Sequence, residues 1–482
     1  MRLAPILSGL GYGLGRQREV TPWRQPSEVT PRQTTTVATQ QTRMKFFDTN
    51  KKLHFRSELV FSLFCMFAAF ITYCSMYAFR KPFTAGTYAN LSLWGIDYKI
   101  ILITTQVFGY MLSKFIGIRV ISEMSPHKRI MNILGLIGIA WAALLLFGIT
   151  PYPYNCIWLF VNGLPLGMIW GLVFAFLEGR RNTELLGAAM SISFIVASGL
   201  VKAVGKYLIT DWGVAEFWMP FGVGLIFILP LLLGVWMLGK MPPPSPEDIA
   251  LRTERVPMNK ELRKAFFKTF APGIILLIIV YISLTIFREL RDNFAVEIWS
   301  LLGYPDMPQV LLTAEIPIAV GVFAIIGAMI FIKDNRKAFY ANIGIVLLGG
   351  LLLISATALF QAKMLHPAAW MILAGFAMYL SYVSFHTMLF ERWIALFQYK
   401  SNIGFLMYIT DAFGYLGSVG VLFYKNFGTK EQNWLTYITY VSYIVGAITV
   451  ISTAIAFFYF RNKEIRLGLR KPLNPAQTGL PL

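Results

Sequence analysis

Several ionisable and phenolic side chains of this chain lie inside long apolar runs. A charge in such a run costs about 2.5 to 3.5 kcal/mol even on the mildest insertion scale, so each one needs a partner, a cavity or a task. The segment YCSMYAFRKPF spaces Tyr73, Tyr77 and Arg80 at i, i+4 and i+7, which would put them on one helix face, with Lys81 adjoining. Phenolic donors beside the fixed fork of a guanidinium suit a planar oxyanion; the alternative is an interfacial tyrosine belt with a snorkelling arginine. A second segment, YISLTIFRELRDNF, carries Arg288, Glu289, Arg291 and Asp292. Arg288 and Asp292 stand at i and i+4 and are expected to pair, unless the whole charged stretch lies in an aqueous loop.

Three further runs hold candidates. FGYMLSKFIGIRV puts Tyr110 and Lys114 one turn apart, with Lys114 supplying positive field to a cavity or reaching for headgroups. LLTAEIPIAV buries Glu315, read as a counter-ion to a basic site residue in preference to a proton carrier. SYVSFHTMLFERW contains His386, which could titrate near neutral pH but is read as a packing residue. At the ends of runs, Glu178 with Arg180 and Arg181, and Glu391 with Arg392, read as gating or structural ion pairs. Cys65, Cys74 and Cys156 have no CxxC spacing, so neither a zinc site nor a disulfide framework is legible. No GxxxxGK[ST], HExxH or GxSxG motif is present, and no metal or cofactor is expected.

The elements that must position these residues follow from composition. Of 482 residues, 56% are hydrophobic and 14% charged, with a mean hydropathy of +0.59, which is too little polar surface for a water-soluble fold. The formal net charge of +19 would suggest nucleic acid in a soluble protein, but the basic residues cluster in short segments between apolar runs, so no nucleic acid is expected. Runs long enough to cross roughly 30 Å of hydrocarbon fall at 57–79, 98–121, 129–149, 152–177, 185–210, 216–238, 270–292, 308–332, 338–360, 366–390, 401–425 and 433–460. The expected fold is all-α, with about twelve transmembrane helices in two six-helix halves: residues 57–238 and 270–460. A Pro-rich, charged central loop at 239–269 divides them. Residues 1–56 form a polar segment in which 1–43 read as disordered and Met44 as the native start, and 461–482 form a tail. Lysines and arginines gather before the first run, at every second turn and in the tail, which predicts cytoplasmic termini and central loop in an integral, cytoplasmic (inner if bacterial) membrane protein.

Motifs in both halves resemble the organophosphate:phosphate antiporter branch of the major facilitator superfamily, which includes glycerol-3-phosphate and hexose-phosphate transporters. YAFRKPF is similar to the family's Tyr-x-x-Arg-Lys-x-Phe at the end of helix 1, and GYMLSKFIGIRVISEMSPHKR to its helix 2 and the following turn, with Glu123 for the turn's Asp. GMIWGLVFAFLEGRRNTELLGAAMSISF resembles helix 4 and the start of helix 5, TAEIPIAV part of helix 8, and DAFGYLGSVG part of helix 11. The resemblance implies alternating access of two halves about a midplane site, with Arg80 and Arg288 on the substrate's anionic group. It also implies that Lys81 and Lys114 raise the potential while Tyr73, Tyr77, Tyr110 and Tyr415 line the cavity. The chain departs from the pattern at Val196, where the family has a histidine, and at Gly171 and Leu172, where it has prolines; Lys202 is a candidate substitute for the histidine, or a snorkelling residue.

The expected activity is therefore secondary transport of a small anionic metabolite, phosphorylated or carboxylated, by antiport or proton symport, rather than enzymatic catalysis. The alternative is a transporter-like membrane sensor that binds an anion and signals through a partner. Apart from the solute and lipid, no partner is expected, and the monomer is the expected state, with an oligomer as the alternative.

Overall fold

The computed structural model describes residues 57–122, 128–177, 180, 183–243, 260–305, 307–397, 403–428 and 433–469. Residues 1–56, Glu178, Arg181 and the middle of the central loop lie outside these. The long helices are α1 (Glu58–Tyr77), α2 (Tyr98–Ser122), α3 (Arg129–Ile149), α4 (Cys156–Leu177), α5 (Thr183–Thr210), α6 (Met219–Lys240), α7 (Lys260–Asn293), α8 (Pro308–Phe331), α9 (Asn335–Gln361), α10 (Pro367–Phe397), α11 (Ile403–Gly428) and α12 (Trp434–Arg466). Among the described residues, eleven of them are long and apolar enough to cross a membrane. The other, α11, is helical over 26 residues and packs against α7 and α2.

Contacts between the first six helices and the last six run chiefly along two seams, α2 against α11 and α5 against α8, with α5 also touching α10. Advancing each helix by six converts one seam into the other, as two structurally repeated halves require. The α5–α8 seam is close at Gly199, where a Cβ would stand 2.2 Å from the carbonyl oxygen of Leu311.

Two departures from the expected spans matter for the site. α1 stops at Tyr77, and a 3₁₀ turn at Pro82–Ala85 follows; Pro82 has no N–H to extend the ladder. Arg80 and Lys81 thus sit in a turn beyond the helix, not on its continued face. α10 runs on to Phe397 through a π-helical turn, Phe385–Leu389, that contains His386. Two other helices also outrun their spans: α7 begins at Lys260, and α12 reaches Arg466, carrying Glu464 into an ion pair with Arg336 (3.0 Å).

Between α1 and α2 lies a two-stranded antiparallel hairpin, β1 (Ser92–Leu93) and β2 (Ile96–Asp97), with Ser92 opposite Asp97. Its turn residues Trp94 and Gly95 have φ of 56° and 73°, the left-handed pair that a tight two-residue hairpin uses. The hairpin marks one end of the bundle.

Candidate functional site

Ending α1 at Tyr77 strips the following carbonyls of helical partners, and buried amides replace them. Asn162 of α4 donates to the carbonyl of Phe79 (2.9 Å), and Gln106 of α2 donates to that of Arg80 (2.6 Å) and to the Asn162 side chain (2.9 Å). The backbone at Arg80 is fixed by these bonds, whereas its head group is not. Arg80 is 1% exposed, yet none of its three guanidinium nitrogens has a hydrogen-bond partner. The guanidinium carbon lies 3.7 Å from the centroid of the Tyr110 ring and 5.6 Å from that of Tyr415, cation–π contacts worth about 0.5 to 2 kcal/mol.

Arg288 faces it from α7. One of its amino groups donates to Glu289 (2.7 Å) and to the Tyr415 hydroxyl (2.8 Å), and its guanidinium carbon lies 4.6 Å from the centroid of the Tyr382 ring. The expected Arg288–Asp292 pair does not form. Asp292 instead takes Lys81 at 2.7 Å and Lys202 at 2.7 Å, with Ser198 donating to the same carboxylate. One helical turn separates Arg288 from Asp292, but two lysines from the other half outcompete the arginine for this carboxylate. Arg288, Glu289, Arg291 and Asp292 are all buried, not in an aqueous loop. Glu289 meets three cations: Arg288, Lys81 at 3.1 Å and Arg80 at 4.0 Å.

Flanking pairs complete the interface. Lys114 does not reach for headgroups; it is buried and pairs with Asp411 of α11 at 2.8 Å. Glu315 pairs with Arg291 at 2.8 Å. Tyr281 of α7 donates to Asp411 and lies 2.7 Å from Nε2 of His386 and 2.8 Å from the Tyr382 hydroxyl. A hydroxyl has a single proton to give, so with that proton on Asp411 the histidine must carry its own on Nε2. His386 also packs against Trp170 and Phe194 (ring centroids 5.5 and 6.0 Å). The cluster thus contains an imidazole from α10, although Val196 of α5 supplies none. Lys202, buried and bonded to Asp292, does not snorkel.

Two tyrosines of α1 border the arginines, whereas the candidate gating residues lie apart. Tyr73 and Tyr77 are buried edge to face with each other (5.7 Å), Tyr77 reaching the Arg80 guanidinium at 5.8 Å. Arg180 donates to the carbonyls of Phe176 (3.0 Å) and Pro242 (2.7 Å), and Arg392 to the side chain of Asn335 (2.8 Å). Glu391 falls within α10, not at its end. A cavity of about 460 Å³ opens at the hairpin end between Thr87, Lys206, Glu297, Tyr304 and Trp434; none of the candidate residues lines it.

Residue-type reasoning missed Asp411, Tyr281, Tyr382, Gln106 and Asn162. Asp411 carried the same signal as Glu315, a carboxylate deep in an apolar run. Tyr281, Thr285, Arg288 and Asp292 also recur at i, i+4, i+7 and i+11 on one face of α7.

Comparison with known proteins bears on the fold and the family. Over 173 residues the chain is 29% identical to the MFS-type efflux pump MMF1 of Pseudozyma antarctica (strain T-34), an alignment covering 32% of this chain and 30% of that protein. The crystal structure of a D-xylose-proton symporter superposes with a TM-score of 0.52 at 16% identity, covering 83% of this chain and 97% of that one. The likeness establishes the major facilitator fold. A family model matches residues 82–463, which hold Arg288 and the carboxylates of the interface and begin just after Arg80 and Lys81. The chain belongs to that family, DUF5690, a family of unknown function, and carries it on a major facilitator fold.

Proposed function

We propose that the protein is a secondary transporter of a small anionic metabolite, bound between Arg80 and Arg288 and moved by alternating access of the two halves, with both termini cytoplasmic. The observation that carries this reading is the Arg80 guanidinium: buried, stacked on Tyr110, without a hydrogen-bond partner, and facing Arg288 across the interface between halves. A buried donor set of this kind costs free energy unless a ligand satisfies it in part of the working cycle.

Charge supports an anion of two charges. Among the described residues, and apart from the Lys99–Glu297 pair, the interface buries six cations (Arg80, Lys81, Lys114, Lys202, Arg288, Arg291) against four carboxylates (Glu289, Asp292, Glu315, Asp411). Two positive charges are left over, and a divalent oxyanion such as a phosphate ester or a dicarboxylate neutralises them. A neutral sugar, the cargo of the xylose symporter, would leave that excess uncompensated in a low-dielectric site.

The experiment is a thermal-unfolding screen of purified protein against phosphate esters, dicarboxylates, sugar acids and neutral sugars at matched ionic strength, because a ligand stabilises according to its occupancy. Stabilisation by a divalent anion and by no neutral sugar is expected, followed by uptake of the stabilising compound into proteoliposomes. Stabilisation confined to neutral sugars would overturn the reading.

A further inference from the structure

Glu289 is set unlike the other three interface carboxylates. Asp292, Glu315 and Asp411 each neutralise lysines or an arginine on the flanks of the arginine pair. Glu289 sits within it: Oε1 accepts from Arg288 at 2.7 Å and lies 4.0 Å from Arg80, while Oε2 faces Lys81 at 3.1 Å and accepts from Asn293 at 3.1 Å. Asn293 is held in turn by Lys81, which donates to its side-chain oxygen at 2.7 Å. The carboxylate group is therefore an oxyanion already lying between both arginines, attached to the protein by a flexible two-carbon stem. It bonds one amino group of Arg288, whose Nε has no hydrogen-bond partner, and bonds none of the three Arg80 nitrogens, which remain without hydrogen bonds.

From this arrangement we propose that Glu289 is a tethered stand-in for the substrate's anionic group, one that the incoming oxyanion displaces. The inference rests on the transporter reading above and adds a mechanism to it. Between turnovers the site need not remain as unpaired buried charge, because Glu289 screens Arg288 and Lys81. An incoming divalent oxyanion offers what Glu289 cannot: enough acceptor atoms to bridge Arg80 and Arg288 together. The two anions cannot share the seat, since like charges there repel. Weak binding follows from this competition, and a transporter must release what it binds.

The test compares thermal unfolding of the wild type, Glu289→Gln, Glu289→Asp and Asp292→Asn with inorganic phosphate and sulfate, against chloride at equal ionic strength. Glu289→Gln removes the competitor; Asp292→Asn removes the same charge one turn away, outside the seat; Glu289→Asp keeps the charge on a shorter stem and serves if the Gln variant does not fold. The expected result is a melting-temperature rise with phosphate or sulfate in Glu289→Gln at least twice that of the wild type and larger than in Asp292→Asn, with Glu289→Asp between wild type and Gln. If Gln does not fold, a rise in Glu289→Asp above both the wild type and Asp292→Asn supports the proposal. A wild-type rise that shrinks in Glu289→Gln, or in Glu289→Asp when Gln does not fold, would show that the carboxylate orients Arg288 for the ligand, and it would overturn this inference while leaving the transporter reading intact. Equal rises in the Glu289 and Asp292 variants would reduce the effect to bulk charge, again overturning the inference alone. No rise with either oxyanion in any variant would count against both.

Discussion

Arg80 owes its place to its main chain. Its carbonyl and that of Phe79 are held by Gln106 and Asn162, so the guanidinium projects from a fixed base without being tied itself. Replacing Gln106 by Leu should leave Arg80 present but misplaced: anion binding weakens about tenfold while an unpaired carbonyl costs about 1 to 3 kcal/mol of stability, both readable in one thermal titration. Lys114 and Asp411 make the contrary case, a pair tied only to its surroundings. Asp411→Asn leaves a buried lysine uncompensated and should cost about 3 to 5 kcal/mol, much of it recovered in the double variant with Lys114→Met, which removes the charge. Thermal melts of the single and double variants check this. The rule that buried charge needs a reason made Arg80, Lys81, Lys114 and Arg288 legible in the sequence. Which carboxylate each would meet was not legible, because Lys81 lies 208 residues from Glu289 along the chain and Lys202 lies 90 from Asp292.

At the scale of elements, apolar length told where the helices run, within a few residues for most. It failed where a local chemical event governs the end. Periodicity carried α1 through Arg80, but the chain stops being helical at Tyr77 ahead of Pro82. It ended α10 early, because the polar run through Glu391 and Arg392 looked like a terminus while the helix continues to Phe397. The π turn there swings His386 into the interface, a re-aiming that hydropathy cannot register and that such turns commonly provide at functional sites. Gly199 sets the α5–α8 distance: Gly199→Ala would put a methyl carbon against the Leu311 carbonyl. We expect it to cost about 1 to 3 kcal/mol through overpacking, seen as a lower melting temperature, since backbone on the facing helix cannot move aside as a side chain can.

For the molecule as a whole, the halves are joined at the hairpin end by ion pairs that cross between them. Lys81 and Lys202 of the first half both hold Asp292 of the second, and Lys99 holds Glu297. These bonds stabilise the conformation described here and must break for that end to open. Asp292→Asn should shift the population toward opening at the hairpin end, lengthening the distance between spin labels placed at Ala89→Cys and Thr436→Cys; an unchanged distance distribution would mean that the pairs do not control opening. The division into two six-helix halves was readable from the polar loop and the number of runs, whereas the two seams that unite them depend on helix rotation.

The central claim is that one anion engages Arg80 and Arg288 together. Proteoliposome uptake of the anion identified by the stabilisation screen, measured for the wild type, Arg80→Lys and Arg288→Lys, tests it most directly, because lysine preserves the charge but loses the two-pronged donor geometry. The account predicts uptake reduced at least a hundredfold in each variant, with both remaining folded. Uptake at the wild-type rate in both variants would contradict it.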